Sequence, residues 1–351
     1  MRARLLNVLK FSFFLALGGF FIWLFLHNLT QQERREILDS LLSARYGWII
    51  VSVLIGLVSH WSRARRWQIM LRPLGYHPGT LNTFFAVMSG YLANMALPRL
   101  GEVTRCGVLA RYEKIPLQKS FGTVITERAI DAILLLSALL TSLLIHLDKS
   151  AMIQKSEMYH AFEQKLVSWQ STGWLVPTAV VLFIAVIALL FQLRHLVRHT
   201  FAYQKIKGIL LGFIDGLRSI GKIGNPFWFI FHSALIWFCY LMMTRVVLYA
   251  LPETAGLPFS VAVAVLAFGS VGIVLVQGGI GIYPFIVAET LALFGIDAVK
   301  GYAMGWLLWI GQSAAIILVG FLSLSLLPLV NKSQNGLRRL HPEKDNSSAG
   351  N

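Results

Sequence analysis

The chain has 351 residues, 56% of them hydrophobic and only 13% charged, with 10 tryptophans and 23 phenylalanines. That balance excludes an ordinary soluble globular domain and predicts an integral membrane protein. The formal net charge of +15 is gathered beside apolar runs, the pattern of contact with anionic lipid, so nucleic acid is not expected as a partner.

Residues 11–26 form the first uncharged run, preceded by Arg2, Arg4 and Lys10. The HNLTQQER that follows has no small-residue cleavage pattern, so a retained signal-anchor helix is expected. Residues 30–45 are amphipathic and are expected to lie on the outer surface. Further apolar runs at 46–62, 122–147, 173–193, 226–250 and 301–330 approach or exceed the roughly 20 residues that a helix needs to cross hydrocarbon. Basic clusters at 1–10, 63–72, 194–222 and at Lys332, Arg338 and Arg339 belong on the cytoplasmic side by the positive-inside rule. The expected organisation is one transmembrane domain over 1–330 and a disordered cytoplasmic tail over 331–351. Both termini are placed in the cytoplasm, with the chain multi-pass in a bacterial inner membrane.

Counting crossings exposes two irregular segments. Residues 80–120 must begin and end inside yet hold one apolar run, which predicts a re-entrant hairpin bending near Pro98. Residues 259–300 must begin and end outside, and VQGGIGIYP interrupts them with Gly278, Gly279, Gly281 and Pro284. They form a second hairpin or two short crossings. The fold expected is an all-α polytopic membrane protein with about six full transmembrane helices and two re-entrant or broken hairpins. Interrupted segments at corresponding places in the two halves also point to an inverted repeat with a site between them.

Charge within this frame is concentrated in PRLGEVTRCG and the following span. Helical spacing puts Arg99, Glu102 and Arg105 in one row and Glu127, Arg128 and Asp131 in another. Alternating sign makes ionisable groups tolerable near hydrocarbon, and ion pairs that merely hold a hairpin in place are the plain alternative. Arginines outnumber acids here, Arg66 among them, and guanidinium binds phosphate through paired donors. A phospholipid or polyprenyl-phosphate headgroup therefore fits, with exposed N–H groups of broken helix ends adding donors.

The run from Arg63 to Asp131, with RARRW, LPRLGEVTRCGVL and VITERAID, resembles the membrane domain of the lysylphosphatidylglycerol synthase/flippase family. Its G-E-x-x-R and E-R-x-x-D signatures fall on Gly101, Glu102, Arg105 and on Glu127, Arg128, Asp131. A later glycine-rich element falls on Gln277 to Gly281, with Gln277 where the family has proline and Tyr283 where an acid is common. The resemblance implies lipid movement between leaflets: Arg99, Arg105 and Arg128 would hold the headgroup, Glu102, Glu127 and Asp131 would orient them, and Gly278, Gly279 and Gly281 would form the opposing segment. Aminoacyl transfer from tRNA is not expected, because no soluble transferase domain is visible.

Other signals are weaker. His195 and His199 lie one helical turn apart without a third ligand, so no metal is expected, nor any cofactor. Trp48, Trp61, Trp67, Trp169, Trp174 and Trp228 are expected as interfacial anchors, and Cys106 and Cys239 as packing residues. Metalloprotease and serine-hydrolase motifs are missing. A membrane transferase using Glu127 or Asp131 as a general base is the rival reading. A non-transporting accessory subunit of an envelope-synthesis enzyme is the third.

Overall fold

A computed structural model describes residues 16, 19–27, 29–97, 100–146 and 225–340, and all statements below concern these. Residues 19–27 are helical. The elements that follow are α1 (Gln31–Ser43), α2 (Tyr46–Leu71), α3 (Thr80–Ala96), α4 (Leu100–Tyr112), α5 (Leu117–Ile145), α6 (Pro226–Val247), α7 (Phe259–Leu275), α8 (Ile282–Ala292) and α9 (Ala298–Leu340). No strand occurs among the described residues, and the protein is an all-helical, multi-pass membrane protein.

Helices long and apolar enough to cross hydrocarbon occupy Tyr46–Leu74, Leu117–Ile145, Pro226–Ala250 and Ala298–Lys332. At 1.5 Å per residue the 29-residue segments extend about 43 Å, against a hydrocarbon thickness of about 30 Å. Their outer faces carry exposed large apolar side chains such as Leu136, Leu140 and Leu144 on α5 and Leu318, Phe321 and Leu322 on α9. In water these would form a large unpartnered patch; in hydrocarbon they are solvated. Of the six full crossings expected, the one at 173–193 lies outside the described residues, and only the later part of 11–26 lies within them. The last helix continues to Leu340, beyond the Val330 boundary expected for the membrane domain. Residues 341–351 are outside the described set.

Local chemistry sets the helix ends. Thr30 caps α1 in a reciprocal capping box with Glu33, as its side chain spacing allows. Hydrogen bonds from the Thr30 backbone N–H and hydroxyl hold the exposed Glu33 carboxyl below its usual range. The α2 helix stops at Arg72-Pro73, where Gly75 takes a left-handed conformation at φ 84°. Asn225 caps α6 ahead of Pro226, the position where a proline without an N–H costs nothing.

Both interrupted segments are helical hairpins. The entering arms, α3 and α7, have 17 residues each, and the returning arms, α4 and α8, have 13 and 11. An arm of 17 residues extends about 25 Å. In the first hairpin Leu97 is extended and ends α3, while the Asn94 side chain accepts from the Gly101 N–H at 2.7 Å and starts α4. In the second, Gly278, Gly279 and Gly281 have φ of 69°, 70° and 73°, values that side chains with a Cβ adopt only under strain.

Each half thus runs span, hairpin, span: α2, α3–α4, α5 and then α6, α7–α8, α9. Contacts between the halves are reciprocal: α2 packs on α6, the entering arm α3 packs on α9, and the entering arm α7 packs on α5. The largest buried apolar cluster joins α6 to α7, α8 and α9 through residues such as Val247, Val265, Leu291 and Met304. A second packs the first hairpin against α2 and α5 through Trp67, Leu71, Val87, Cys106, Leu109 and Val124. At the base of that hairpin Glu113 accepts from Asn82 at 2.6 Å and from the Gly79 N–H at 3.0 Å. Asn82 and Asn331 exchange amide hydrogen bonds at 3.0 and 2.9 Å, tying the hairpin to α9.

Candidate functional site

The site is built where the C-terminal half of α2, the returning arm α4 and the first turns of α5 converge, with α6 behind them. Spacing of three and four on α2 places Arg63, Arg66 and Trp67 on one face. All three are buried, with Arg66 and Trp67 at 0% exposure. RARRW is therefore not a surface cluster of lipid-contacting charges, and Trp67 is not an interfacial anchor. Its indole N–H donates to Thr123 at 2.8 Å and its ring lies 4.7 Å beneath the Arg105 guanidinium. Trp48, Trp61 and Trp228 are exposed as an anchor requires; Trp169 and Trp174 lie outside the described residues, as do His195 and His199. Cys106 and Cys239 are buried and form no disulfide.

Glu127 is the centre of the constellation, with its side chain at 0% exposure. One carboxylate oxygen faces Arg63 and also Arg66, the latter at 3.3 Å, and the other forms an ion pair with Arg105 at 3.0 Å. One turn on, Asp131 accepts from Arg63 and from Arg66, each at 2.8 Å. Other guanidinium donors reach α6: Arg63 donates to the Tyr240 hydroxyl at 2.9 Å and Arg66 to the Ser233 hydroxyl at 3.2 Å, while the Nε of each has no hydrogen-bond partner among the described residues. A planar five-donor fork lets one arginine bridge two carboxylates and a hydroxyl, which a lysine ammonium could not do in the same plane. Desolvating this many charges is offset by their mutual attraction only because nearly all are paired.

Charge balance runs across helices, not along the rows the spacing suggests. Arg105 pairs with Glu127 on α5, and Arg128 donates to Glu102 on α4 at 3.0 Å. This second pair is the accessible one, with Arg128 at 45% and Glu102 at 20% side-chain exposure. Arg99 lies outside the described residues. Four guanidiniums, of Arg63, Arg66, Arg105 and Arg128, thus meet three carboxylates, of Glu102, Glu127 and Asp131.

Arg105 leaves more donors open than Arg63 or Arg66, which each leave only Nε without a partner. Arg105 is buried, yet its Nε and Nη2 have no hydrogen-bond partner among the described residues. It borders a cavity of about 10 Å³ lined by Val87, Gly90, Tyr91, Asn94, Gly101, Arg105 and Arg128. Buried donors without acceptors are rare because each forfeits its hydration. Two of them on one cation beside a second cation describe a seat for an anion. The cavity holds about one water and is too small for a phosphate as it stands. Among the described residues no three His, Cys, Asp or Glu side chains gather as a metal would require.

The structure brings together Arg66, Glu102, Arg105, Glu127, Arg128 and Asp131 of the expected site. It does not bring Gly278, Gly279 and Gly281 into that network. Their segment abuts α3, and the Gly278 carbonyl accepts from the Trp309 indole at 2.6 Å. Tyr283, on the same element, packs against Gly269 and Gly279. Arg63, Tyr240 and Ser233 are site residues that the sequence reading did not single out. The signal for Arg63 was its spacing of three from Arg66, whereas Tyr240 and Ser233 are brought in only by the packing of α6 on α2.

The family model described as the lysylphosphatidylglycerol synthase TM region matches residues 8–320. The UPF0104 membrane protein MJ1595 of Methanocaldococcus jannaschii is 27% identical over 104 residues, which cover 29% of this chain and 31% of that protein. No solved structure matches the chain. With the family model spanning the charged network, both hairpins, the first three long helices and much of the fourth, the chain belongs to the lysylphosphatidylglycerol synthase transmembrane-region family.

Proposed function

We propose that the protein is a lipid transporter that moves an anionic phospholipid or a polyprenyl-phosphate-linked lipid between leaflets of a bacterial inner membrane. The observation that carries this is the pair of unsatisfied Arg105 donors at a cavity shared with Arg128. Guanidinium is suited to bidentate phosphate, and a buried site magnifies the attraction. Arg105 and Arg128 hold the headgroup, together with Arg99. Glu127 and Asp131 hold Arg63 and Arg66 in place behind them. The two hairpins enter the membrane from opposite faces as an inverted repeat, with both chain termini in the cytoplasm. Alternate opening at either face then follows from rocking one half against the other.

A transferase is less well supported. Its general base would be Glu127 or Asp131, and both carboxylates are already occupied by arginines at 2.8 to 3.3 Å. The test is reconstitution into liposomes with labelled lipids. Wild type is expected to accelerate exchange of an anionic lipid. Arg105→Lys is expected to lower that rate about 10- to 100-fold, because an ammonium loses the paired donors. Exchange no faster than in empty liposomes for every anionic lipid would refute transport, and turnover of a lipid-linked sugar would establish the transferase.

A further inference from the structure

The returning arms of the two hairpins differ in how their charges are matched. On α4, Arg105 and Glu102 each have an ion-pair partner on α5. On α8, IYPFIVAETLA, the one charged residue is Glu289. It is half-buried and has no hydrogen-bond or ion-pair partner among the described residues. Every other described carboxyl from Tyr46 onward is paired: Glu102, Glu127 and Asp131 with arginines, Glu113 with Asn82, Glu253 with Lys300, and Asp297 with the Val299 N–H.

The elements around α8 offer no counter-ion. The α7 arm, FSVAVAVLAFGSVGIVL, holds no ionisable side chain. Where α9 packs on α8, with Gly301 against Ala288 and Gly305 against Pro284, its ionisable groups are Lys300 and Tyr302. Lys300 is taken by Glu253 at 3.3 Å and by Ser40 at 3.1 Å, and Tyr302 stacks on Phe25 at 3.8 Å. The helix over 19–27 meets α8 through Phe21, Phe25 and Phe285, and its His27 lies against Trp23. Tyr283, on α8 itself, packs on Gly269 and Gly279. His146 meets Phe294 just past α8, with its Nδ1 on the Ser142 carbonyl. An unpaired carboxylate is expensive in hydrocarbon, which is why such acids mark proton and ion pathways in membrane proteins. Taking up a proton removes the charge.

From this placement we infer that Glu289 is a proton-binding site, and that the second hairpin completes its movement only with the proton bound. The inference rests on the transport reading above and extends it to the half of the protein that the arginine network leaves out. Charged, Glu289 needs water, so α8 is held at an open face. Neutral, it can be enclosed against α7 and α9. The proton comes from water at the open face, forms the O–H bond on the carboxylate, and returns to water when that bond breaks on reopening.

The experiment measures leaflet exchange of labelled phosphatidylglycerol, whose phosphodiester keeps its charge throughout, in proteoliposomes with equal pH on both sides. With one proton required, wild-type exchange is expected to fall about tenfold per pH unit on the alkaline side of its midpoint. Glu289→Gln is neutral at every pH, so its exchange is expected to be flat with pH and faster than wild type under alkaline conditions. That gain separates the role from a loss of folding. Glu289→Asp keeps a titrating group and is expected to keep the dependence. A Glu289→Gln rate that falls with pH as in wild type, or a wild-type rate that is flat, would overturn the proton site and leave transport standing. Absence of protein-dependent exchange for every anionic lipid would overturn transport instead. Infrared difference spectra of wild type against Glu289→Gln in detergent then decide on the site itself. A protonated-carboxyl C=O band that titrates with pH and is lost in the variant supports it, and the lack of such a band at any pH overturns it.

Discussion

Glu127→Gln is expected to destabilise the protein by about 3–5 kcal/mol, the cost of breaking a buried pair and leaving charge uncompensated. The reason is position: its two oxygens face Arg63, Arg66 and Arg105 from a site with no exposure. The amide retains one acceptor but removes the charge, so three guanidiniums are left with Asp131 alone. Thermal unfolding in detergent should show the drop. The same change at Glu102 is expected to cost under about 1 kcal/mol, because exposed pairs are screened. Equal losses at the two positions would mean that burial does not govern this network.

Gly101→Ala is expected to separate the arms of the first hairpin. A Cβ at Gly101 would stand 2.1 Å from the Gly90 carbonyl oxygen and 2.5 Å from Asn94 Cγ. Backbone cannot yield as a flexible side chain does, so the cost is expected to reach about 1–3 kcal/mol or more. Arg105 lies one turn further along α4 and moves with it, so lipid exchange should fall along with the melting temperature. Gly107 lies on the same helix and would meet nothing within 4 Å. Gly107→Ala is therefore expected to be neutral or to stabilise by up to about 1 kcal/mol. Loss of exchange in both variants would point away from the arm contact as the cause.

The polarity pattern made much of this architecture legible. Apolar runs identified the spans over 46–62, 122–147, 226–250 and 301–330, and each contains or overlaps a long helix. Both interruptions were visible because proline and glycine leave a mark on any helical reading, and each segment consists of two helices separated by a break. Membership of the charged site was partly legible through Glu102, Arg105, Glu127, Arg128 and Asp131. Arg63 was hidden by its setting: in RARRW it reads as one more juxtamembrane cation, and only the packing of α5 and α6 shows that it is buried. Trp67 misled for the same reason, since an aromatic at a span end reads as an anchor until its neighbours are known.

By itself the sequence determined that this chain lives in a membrane, where its helices run, where they break, and that arginine exceeds acid around the first break. These are local properties, set by transfer energies and backbone preferences residue by residue. Tertiary structure alone decided which charge meets which. Spacing along one helix joins Glu102 to Arg105 and Arg128 to Asp131, but burial favours partners that satisfy the most donors at once. Those partners lie on neighbouring helices: Arg105 on Glu127, Arg128 on Glu102, and Arg63 and Arg66 across both acids of α5.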